Sequence, residues 1–242
     1  AFAPAWRPFQ LGFFLTVVAG LEDPENSDHS IVDLIWFSTG GGKTEAYLLL
    51  SSYELIRRRM KFKDRGGGTG VITRYTLRFL TADQFARTAS LGCALEKVRH
   101  CHGFLGAEPF RVGIFAGSAV SYNTYSTAQT ALRALEESPS EPHKFHVSEC
   151  PNCGTSLLPA EATRDENNNL QGFGIRTIAG GKIEYVCQNS KCLFSGELKI
   201  PVTVIDDEIY EDPPSILLGV IDKFAMVPLN ELAGNIFGRR EG

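Results

Sequence analysis

The stretch that decides the fold is Ile31-Val32-Asp33-Leu34-Ile35-Trp36-Phe37-Ser38-Thr39-Gly40-Gly41-Gly42-Lys43-Thr44-Glu45. An apolar run comes first, three consecutive glycines follow, and the helical pattern Ala46-Tyr47-Leu48-Leu49-Leu50 comes after Lys43-Thr44. Strand, glycine-rich turn and helix in this order are typical of a phosphate-binding loop. The pattern therefore predicts an α/β fold with a nucleotide site at the turn.

The residue types in the turn suit a phosphate ligand. Glycines let the backbone curl so that its N–H groups point at phosphate oxygens, and the helix start adds its positive dipole end. Lys43 is predicted to reach the β- and γ-phosphates of ATP, and Thr44 to bind Mg²⁺ through its hydroxyl. These two are the predicted catalytic residues. The predicted cofactor-binding residues of the turn are Thr39, Gly40, Gly41, Gly42, Lys43, Thr44 and Glu45.

One residue departs from the strict pattern G-x-x-x-x-G-K-[ST], because Phe37 stands where the first glycine is expected. The alternative interpretation is a glycine-rich turn that precedes Lys43-Thr44 by coincidence. The strand-like segment before the turn and the helical segment after it favour the nucleotide site.

Length and composition exclude several classes of protein. A chain of 242 residues can form one large α/β domain, or one domain with a small insertion. A net charge of −4 excludes a globally basic nucleic-acid-binding module but leaves local DNA contacts open. No apolar run reaches the ~18 residues of a membrane span, and the first residues lack the basic region of a secretory signal. We expect a cytoplasmic protein with no membrane contact, and the missing initiator Met suggests a fragment.

Four of the six cysteines form two closely spaced pairs, Cys150-Pro151-Asn152-Cys153 and Cys187 with Cys192. Without a secretory signal, such cysteines indicate reduced thiols or metal ligation rather than disulfides. The first pair has the spacing of a metal-binding knuckle, and the second is within hairpin reach. We predict a four-cysteine zinc ribbon, too small for a core of its own and held by its metal. The alternative is four free thiols.

Other segments predict alternating strands and helices. Strands are expected over 31–37, 71–81 and 110–118, and helices over about 43–59, 81–101 and 124–137. The acidic run Asp206-Asp207-Glu208 follows an apolar segment, as in a Walker B strand whose carboxylates hold Mg²⁺ and activate water. Pro201 fits a central strand badly. We favour the interpretation in which these residues are not the Walker B carboxylates, and the true ones lie beyond Gly242.

Taken together, these stretches resemble superfamily 2 helicases, and most closely the DrmA-like large helicase subunits of DISARM anti-phage defence systems. The resemblance is carried by Arg7-Pro8-Phe9-Gln10, Trp36 to Tyr47, Arg74 to Ser90, the four paired cysteines and Gly219 to Ala225. It implies a mainly parallel sheet flanked by helices in a RecA-like P-loop domain over 1–146. An inserted β-rich zinc ribbon occupies 147–200, and the RecA-like domain resumes over 201–242, ending before motif II.

The resemblance also implies residue roles. Gln10 would read the adenine edge, with Arg7 beside it, although aromatic residues around them also fit an ordinary helix core. Contacts to the DNA sugar-phosphate backbone would come from Arg74, Arg78, Thr81, Gly117 and Lys223. The implied function is an ATP-dependent DNA helicase or translocase of bacterial anti-phage defence, acting beside a partner subunit. The fragment would bind ATP–Mg²⁺ and DNA without competence for turnover alone. The alternative is a zinc-ribbon docking module for nucleic acid or protein on a P-loop scaffold without motor activity.

Overall fold

The computed structural model describes residues 5–23, 25–36, 40–76, 82–167 and 170–238. Its helices are α1 (Pro8–Glu22), α2 (Lys43–Phe62), α3 (Ala82–Cys101), α4 (Tyr125–Glu137), α5 (Asp206–Glu211) and α6 (Ile221–Ala225). Its strands are β1 (Val71–Tyr75), β2 (Val112–Phe115), β3 (Ile175–Thr177), β4 (Ile183–Tyr185), β5 (Val202–Thr203) and β6 (Ile216–Val220). Short 3₁₀ turns occupy Ser27–Ser30, Lys63–Gly66, Gly103–Leu105, Ala179–Gly181, Leu193–Ser195, Val227–Leu229 and Glu231–Phe237.

The centre of the fold is a parallel sheet of four strands in the order β1-β6-β2-β5. Leu218 of β6 lies opposite Thr73 on one side and Ile114 on the other. Every residue of β6 is buried, as expected for a parallel strand covered on both faces. The predicted α/β class with a mainly parallel sheet flanked by helices is confirmed, whereas the RecA-like topology stays a prediction.

The helices follow their local sequence signals closely. The predicted helix over 43–59 continues to Phe62, and the one predicted from Thr81 begins, among the described residues, at Ala82. Thr124 caps α4, because its hydroxyl accepts a hydrogen bond from the Thr127 backbone N–H at 3.3 Å. Of the strand predicted over 71–81, β1 covers Val71–Tyr75, and residues 77–81 lie outside the described residues.

The strand predicted over 31–37 is wrong for the part that the structure describes. Residues 31–36 have no regular secondary structure, and Phe37 lies outside the described residues. The side chains of Val32, Leu34 and Trp36 are 93%, 82% and 86% exposed. No strand in the described ranges pairs with this run, and an apolar segment without such a neighbour has no backbone partners to hold it in a sheet.

One hydrophobic core extends from the sheet into the cysteine-rich segment. It contains Phe85 and Phe110 beside the sheet, and Ile175, Tyr185 and Phe194 from the cysteine-rich segment. The apolar residues of the cysteine-rich segment thus belong to a core shared with the rest of the chain, and the expectation that the segment has no core of its own stays a prediction. The division into 1–146, 147–200 and 201–242 stays a prediction. None of the helices in the described ranges combines the length and apolar character needed to cross a bilayer.

The central position of β6 predicts a large difference between two leucine truncations. Leu218→Ala removes a side chain that is 1% exposed, and we expect a loss of about 2–5 kcal/mol in the free energy of unfolding. Leu15→Ala on α1, where the leucine is 68% exposed, should change it by less than about 0.5 kcal/mol. Urea denaturation followed by circular dichroism measures both, and equal losses would contradict the central placement of β6.

Candidate functional site

An open cleft of about 980 Å³ lies where the glycine-rich turn meets the start of α2. Its lining residues come from three segments that are distant in sequence: Ala5, Trp6, Arg7, Gln10, Gly40, Gly41, Gly42, Lys43, Thr44, Glu45, Gln84 and Arg87. The structure thus brings together every predicted cofactor-binding residue except Thr39, which lies outside the described residues. The size suits a nucleotide-sized ligand.

The turn has the backbone geometry that only glycine adopts readily. Gly40 has φ +76° and Gly42 has φ +91°, both in the left-handed region. Gly42 is the N-cap of α2, and Lys43 is the first helical residue. The first N–H groups of a helix have no intrahelical partner, so this end of α2 presents hydrogen-bond donors and a positive dipole end at the cleft. That arrangement favours an anionic ligand.

Helix α1 holds the turn in place through two polar contacts. Arg7 Nη1 donates to the Gly41 carbonyl at 2.9 Å, and Gln10 Nε2 donates to the Gly42 carbonyl at 2.8 Å. Gln10 Oε1 accepts from the Arg7 backbone N–H at 2.8 Å, and these two partners together fix the amide's orientation. Gln10 is buried, as the anchor of a fixed turn needs to be. The contact between Gln10 and the turn backbone was not anticipated from the sequence, and adenine reading by Gln10 stays a prediction.

Sequence reasoning missed two polar residues of the cleft, Gln84 and Arg87, which both lie on α3. Their spacing of three places them on one helix face, but nothing in the sequence says that this face meets the glycine-rich turn. The Arg87 guanidinium forms an ion pair with the Glu45 carboxylate, so α3 is joined to the first turn of α2. Glu45, which was predicted to bind the cofactor, is therefore engaged by a cation of the protein.

The predicted nucleic-acid residues are only partly described. Arg74 is exposed on β1, whereas Arg78 and Thr81 lie outside the described residues. Gly117 follows β2 with φ +81°, and a Cβ there would lie 3.9 Å from the Lys223 side chain. Lys223 forms an ion pair with Asp206, and its Nζ lies 5.0 Å from the centroid of the Phe115 ring. The structure brings Gly117 and Lys223 together, with the lysine already paired to a buried carboxylate.

The acidic run forms the first turn of α5. Glu208 accepts a hydrogen bond from the Thr203 hydroxyl at 2.7 Å, and Asp207 accepts one from the Tyr125 backbone N–H at 3.1 Å. Burial raises the pKa of Asp206, and its ion pair with Lys223 opposes that rise. The carboxylates are engaged in structural contacts and do not line the cleft. This supports the interpretation that they are not the Walker B residues, and Pro201 precedes an edge strand rather than a central one.

The four paired cysteines converge on one point. Their sulfur atoms all lie within 4.8 Å of one another, with Cys153 and Cys187 3.4 Å apart and Cys150 and Cys192 4.0 Å apart. Tetrahedral zinc with its usual bond lengths to thiolates requires sulfur atoms roughly 3.8 Å apart. The donor set and its spacing therefore fit a structural zinc ion.

Local turns build this sulfur cluster. The Cys153 and Gly154 backbone N–H groups both donate to the Cys150 carbonyl, at 3.2 and 2.8 Å, and Gly154 adopts φ +75°. Asn152 Nδ2 lies 3.2 Å from Cys192 Sγ, and the Asn189 backbone N–H lies 3.4 Å from Cys187 Sγ. Donors aimed at sulfur stabilise the thiolate form, which is the form that binds metal.

The thiols of the cluster differ in how easily they lose a proton, because their surroundings differ. The Thr155 hydroxyl lowers the pKa of Cys153 to about 6, whereas burial raises the pKa of Cys150 to about 11 and also raises that of Cys187. A cation offsets the cost of deprotonating the buried thiols, so metal binding and proton release are coupled. Cys93, whose burial raises its pKa to about 12, and the exposed Cys101 stand outside the cluster.

Elemental analysis tests the metal site. We expect about one zinc ion per chain in protein purified under reducing conditions, and Cys153→Ser should lower that content severalfold because only three thiolates remain. Cys101→Ser is the matched control, since Cys101 is also exposed but is not part of the cluster. Zinc-free wild-type protein would refute the site.

The conformation of Gly42 generates a second test. A Cβ at Gly42 would lie 2.8 Å from Gln10 Nε2 on a left-handed backbone, so Gly42→Ala should lower the free energy of unfolding by about 1–2 kcal/mol. Gly12→Ala is the control, because a Cβ at Gly12 within α1 meets no atom within 4 Å. It should leave stability unchanged or raise it by up to about 1 kcal/mol. A tolerated alanine at Gly42 would contradict the geometry of the turn.

The sequence of this chain is similar to that of a known protein. Over an alignment of 243 positions that covers 97% of this chain, the sequence is 35% identical to the DISARM protein DrmA of Bacillus paralicheniformis (strain ATCC 9945a / NCIMB 11709 / CD-2). No family model matches the chain. The alignment covers 21% of the relative, so the chain spans about a fifth of the length of the curated protein that it matches. The expected resemblance to DrmA is confirmed: this chain is similar to about one fifth of that DISARM protein.

Proposed function

We propose that this chain supplies the nucleotide-binding part of the first motor domain of an ATP-dependent DNA helicase or translocase in bacterial anti-phage defence. The observation that carries the proposal is the cleft, in which Lys43, Thr44 and the glycine-rich turn lie at the N-terminus of α2. The similarity of the chain to a DISARM protein supports the defence context.

In this proposal, different residues of the cleft bind different parts of ATP–Mg²⁺. The glycine N–H groups and Lys43 bind the triphosphate, and Thr44 holds Mg²⁺, which neutralises the phosphate charge. Gln10 donates one amide N–H to the Gly42 carbonyl and accepts from the Arg7 backbone N–H with one lone pair, which leaves one of each for the adenine edge. Trp6, half exposed at the cleft, offers a face on which the base can stack.

Turnover needs groups from elsewhere in the whole protein. Among the described residues that line the cleft, Glu45 is the sole carboxylate, and it is paired with Arg87. We therefore propose that the water-activating carboxylate and the arginine finger are supplied by other parts of the protein. This part of the chain then binds ATP–Mg²⁺ better than it hydrolyses it.

We place DNA at the carboxyl edge of the sheet. Arg74 lies near the end of β1, Gly117 follows β2 and Lys223 follows β6, and the carboxyl ends of parallel strands share one edge. Contacts there position a sugar-phosphate backbone without reading bases. A partner subunit of the defence complex and a cytoplasmic location complete the proposal, since both ATP and invading DNA are met there.

A second candidate function is a zinc-ribbon docking module for nucleic acid or protein on a P-loop scaffold without motor activity. The position of residues 31–36 outside the sheet favours it, because a motor domain normally anchors its phosphate-binding turn on a central strand. In that case the cleft would have no function in ATP binding.

Nucleotide binding by the intact protein separates the two candidates. Lys43→Ala should weaken Mg²⁺–ATP binding by at least about 100-fold, because a charge-assisted phosphate contact in the cleft is lost. Lys61→Ala is the matched control, since Lys61 is an exposed lysine near the other end of α2. Isothermal titration calorimetry measures both variants. Undiminished affinity in Lys43→Ala would remove the basis for the motor.

A further inference from the structure

One face of α3 contacts both candidate sites. Arg87 lines the nucleotide cleft and pairs with Glu45. Three residues later, the Ser90 hydroxyl lies 2.9 Å from the carbonyl oxygen of Pro151, inside the knuckle between Cys150 and Cys153. Residues three apart on a helix face the same way, so the two contacts are neighbours on one surface.

The Ser90 contact is a specific link between α3 and the knuckle. Its hydroxyl also lies 3.0 Å from the Ala86 carbonyl of its own helix, so the single proton is shared between a local acceptor and the knuckle. A groove of about 570 Å³ is bordered by Arg87 and Ser90 on one side and by the knuckle on the other. The Pro151 carbonyl is therefore one of two acceptors for the Ser90 hydroxyl, and it joins α3 to the knuckle.

Helix α3 is packed tightly enough to transmit a displacement. Phe85, Ala89 and Cys93 on this helix are 0%, 0% and 1% exposed within the shared core. Close-packed interiors have low compressibility and transmit strain. At its other contact, Glu45 belongs to the first turn of α2, immediately after Lys43 and Thr44. A shift of α3 would therefore displace the first turn of α2, which carries Lys43 and Thr44.

We infer that Arg87 is a positioning residue of the nucleotide cleft, and that Ser90 fastens it to the metal-loaded knuckle, so that zinc binding and nucleotide binding strengthen each other. The inference rests on the proposed nucleotide function. With zinc bound by the four cysteines, the knuckle would hold the Pro151 carbonyl in place, Ser90 would join α3 to that carbonyl, and Arg87 would restrain the first turn of α2 through Glu45. Because binding free energies are linked, nucleotide must raise zinc affinity by the same factor by which zinc raises nucleotide affinity.

The decisive variant is Ser90→Ala in the intact, zinc-loaded protein, probed with a fluorescent ATP analogue and Mg²⁺. The loss of one neutral hydrogen bond should weaken analogue binding about 3- to 10-fold while zinc content stays at the wild-type value. Ser51→Ala is the matched control, because the Ser51 hydroxyl makes the same bond to the carbonyl four residues earlier, at 2.7 Å, without a contact to the knuckle. It should bind the analogue as the wild type does.

Two further measurements exclude a merely structural role. In the wild type, Mg²⁺–ATP should slow zinc loss to a chelator and raise zinc affinity about 3- to 10-fold, and Ser90→Ala should abolish this gain. Arg87→Lys should retain most of the coupling, since it keeps the charge opposite Glu45, whereas Arg87→Gln should lose it.

The outcomes separate this inference from the proposed function. If Lys43→Ala abolishes nucleotide binding but Ser90→Ala binds the analogue as tightly as the wild type, the coupling is refuted and the nucleotide site stands. Zinc affinity that is insensitive to nucleotide refutes the coupling in the same way. If Lys43→Ala binds normally, the proposed function itself fails.

Discussion

The structure depends on the burial of β6 on both faces. A strand without an exposed residue must find backbone partners on both edges and apolar cover above and below, and β1, β2 and the helices supply them. Gly219 lets Phe224 of α6 pack back onto the strand, since a Cβ there would lie 2.4 Å from its ring. Because β6 orders its neighbours in parallel, the segments that follow each strand collect at one edge of the sheet.

The sequence was informative wherever the determinant is local. The helical sequence patterns placed α2, α3 and α4 to within a few residues, and the cysteine spacing was sufficient to anticipate the sulfur cluster. The strand prediction for Ile31 to Trp36 is wrong because its determinant is not local. Its apolar composition fits a strand, but strand formation requires a neighbour distant in the chain, and composition alone carries no information about that neighbour.

The candidate site shows the same division. Gly40 to Glu45 are recognisable because phosphate binding needs a short contiguous motif. Arg87 joins them only through the packing of α3 against α2, and the hold of Gln10 on the Gly42 carbonyl depends on where α1 lies. Partners of this kind are set by tertiary structure, so the motif predicts the centre of the site but not its walls.

The shared core of the cysteine-rich segment has a consequence for how this protein can be engineered. Tyr185 is fully enclosed, and its hydroxyl donates to the Phe145 carbonyl at 3.3 Å, outside the segment between the two cysteine pairs. A segment anchored in this way is not an interchangeable cassette. Excising it would expose the buried residues on which it packs, including Phe145. Grafting it onto another scaffold would require those residues to be transferred with it.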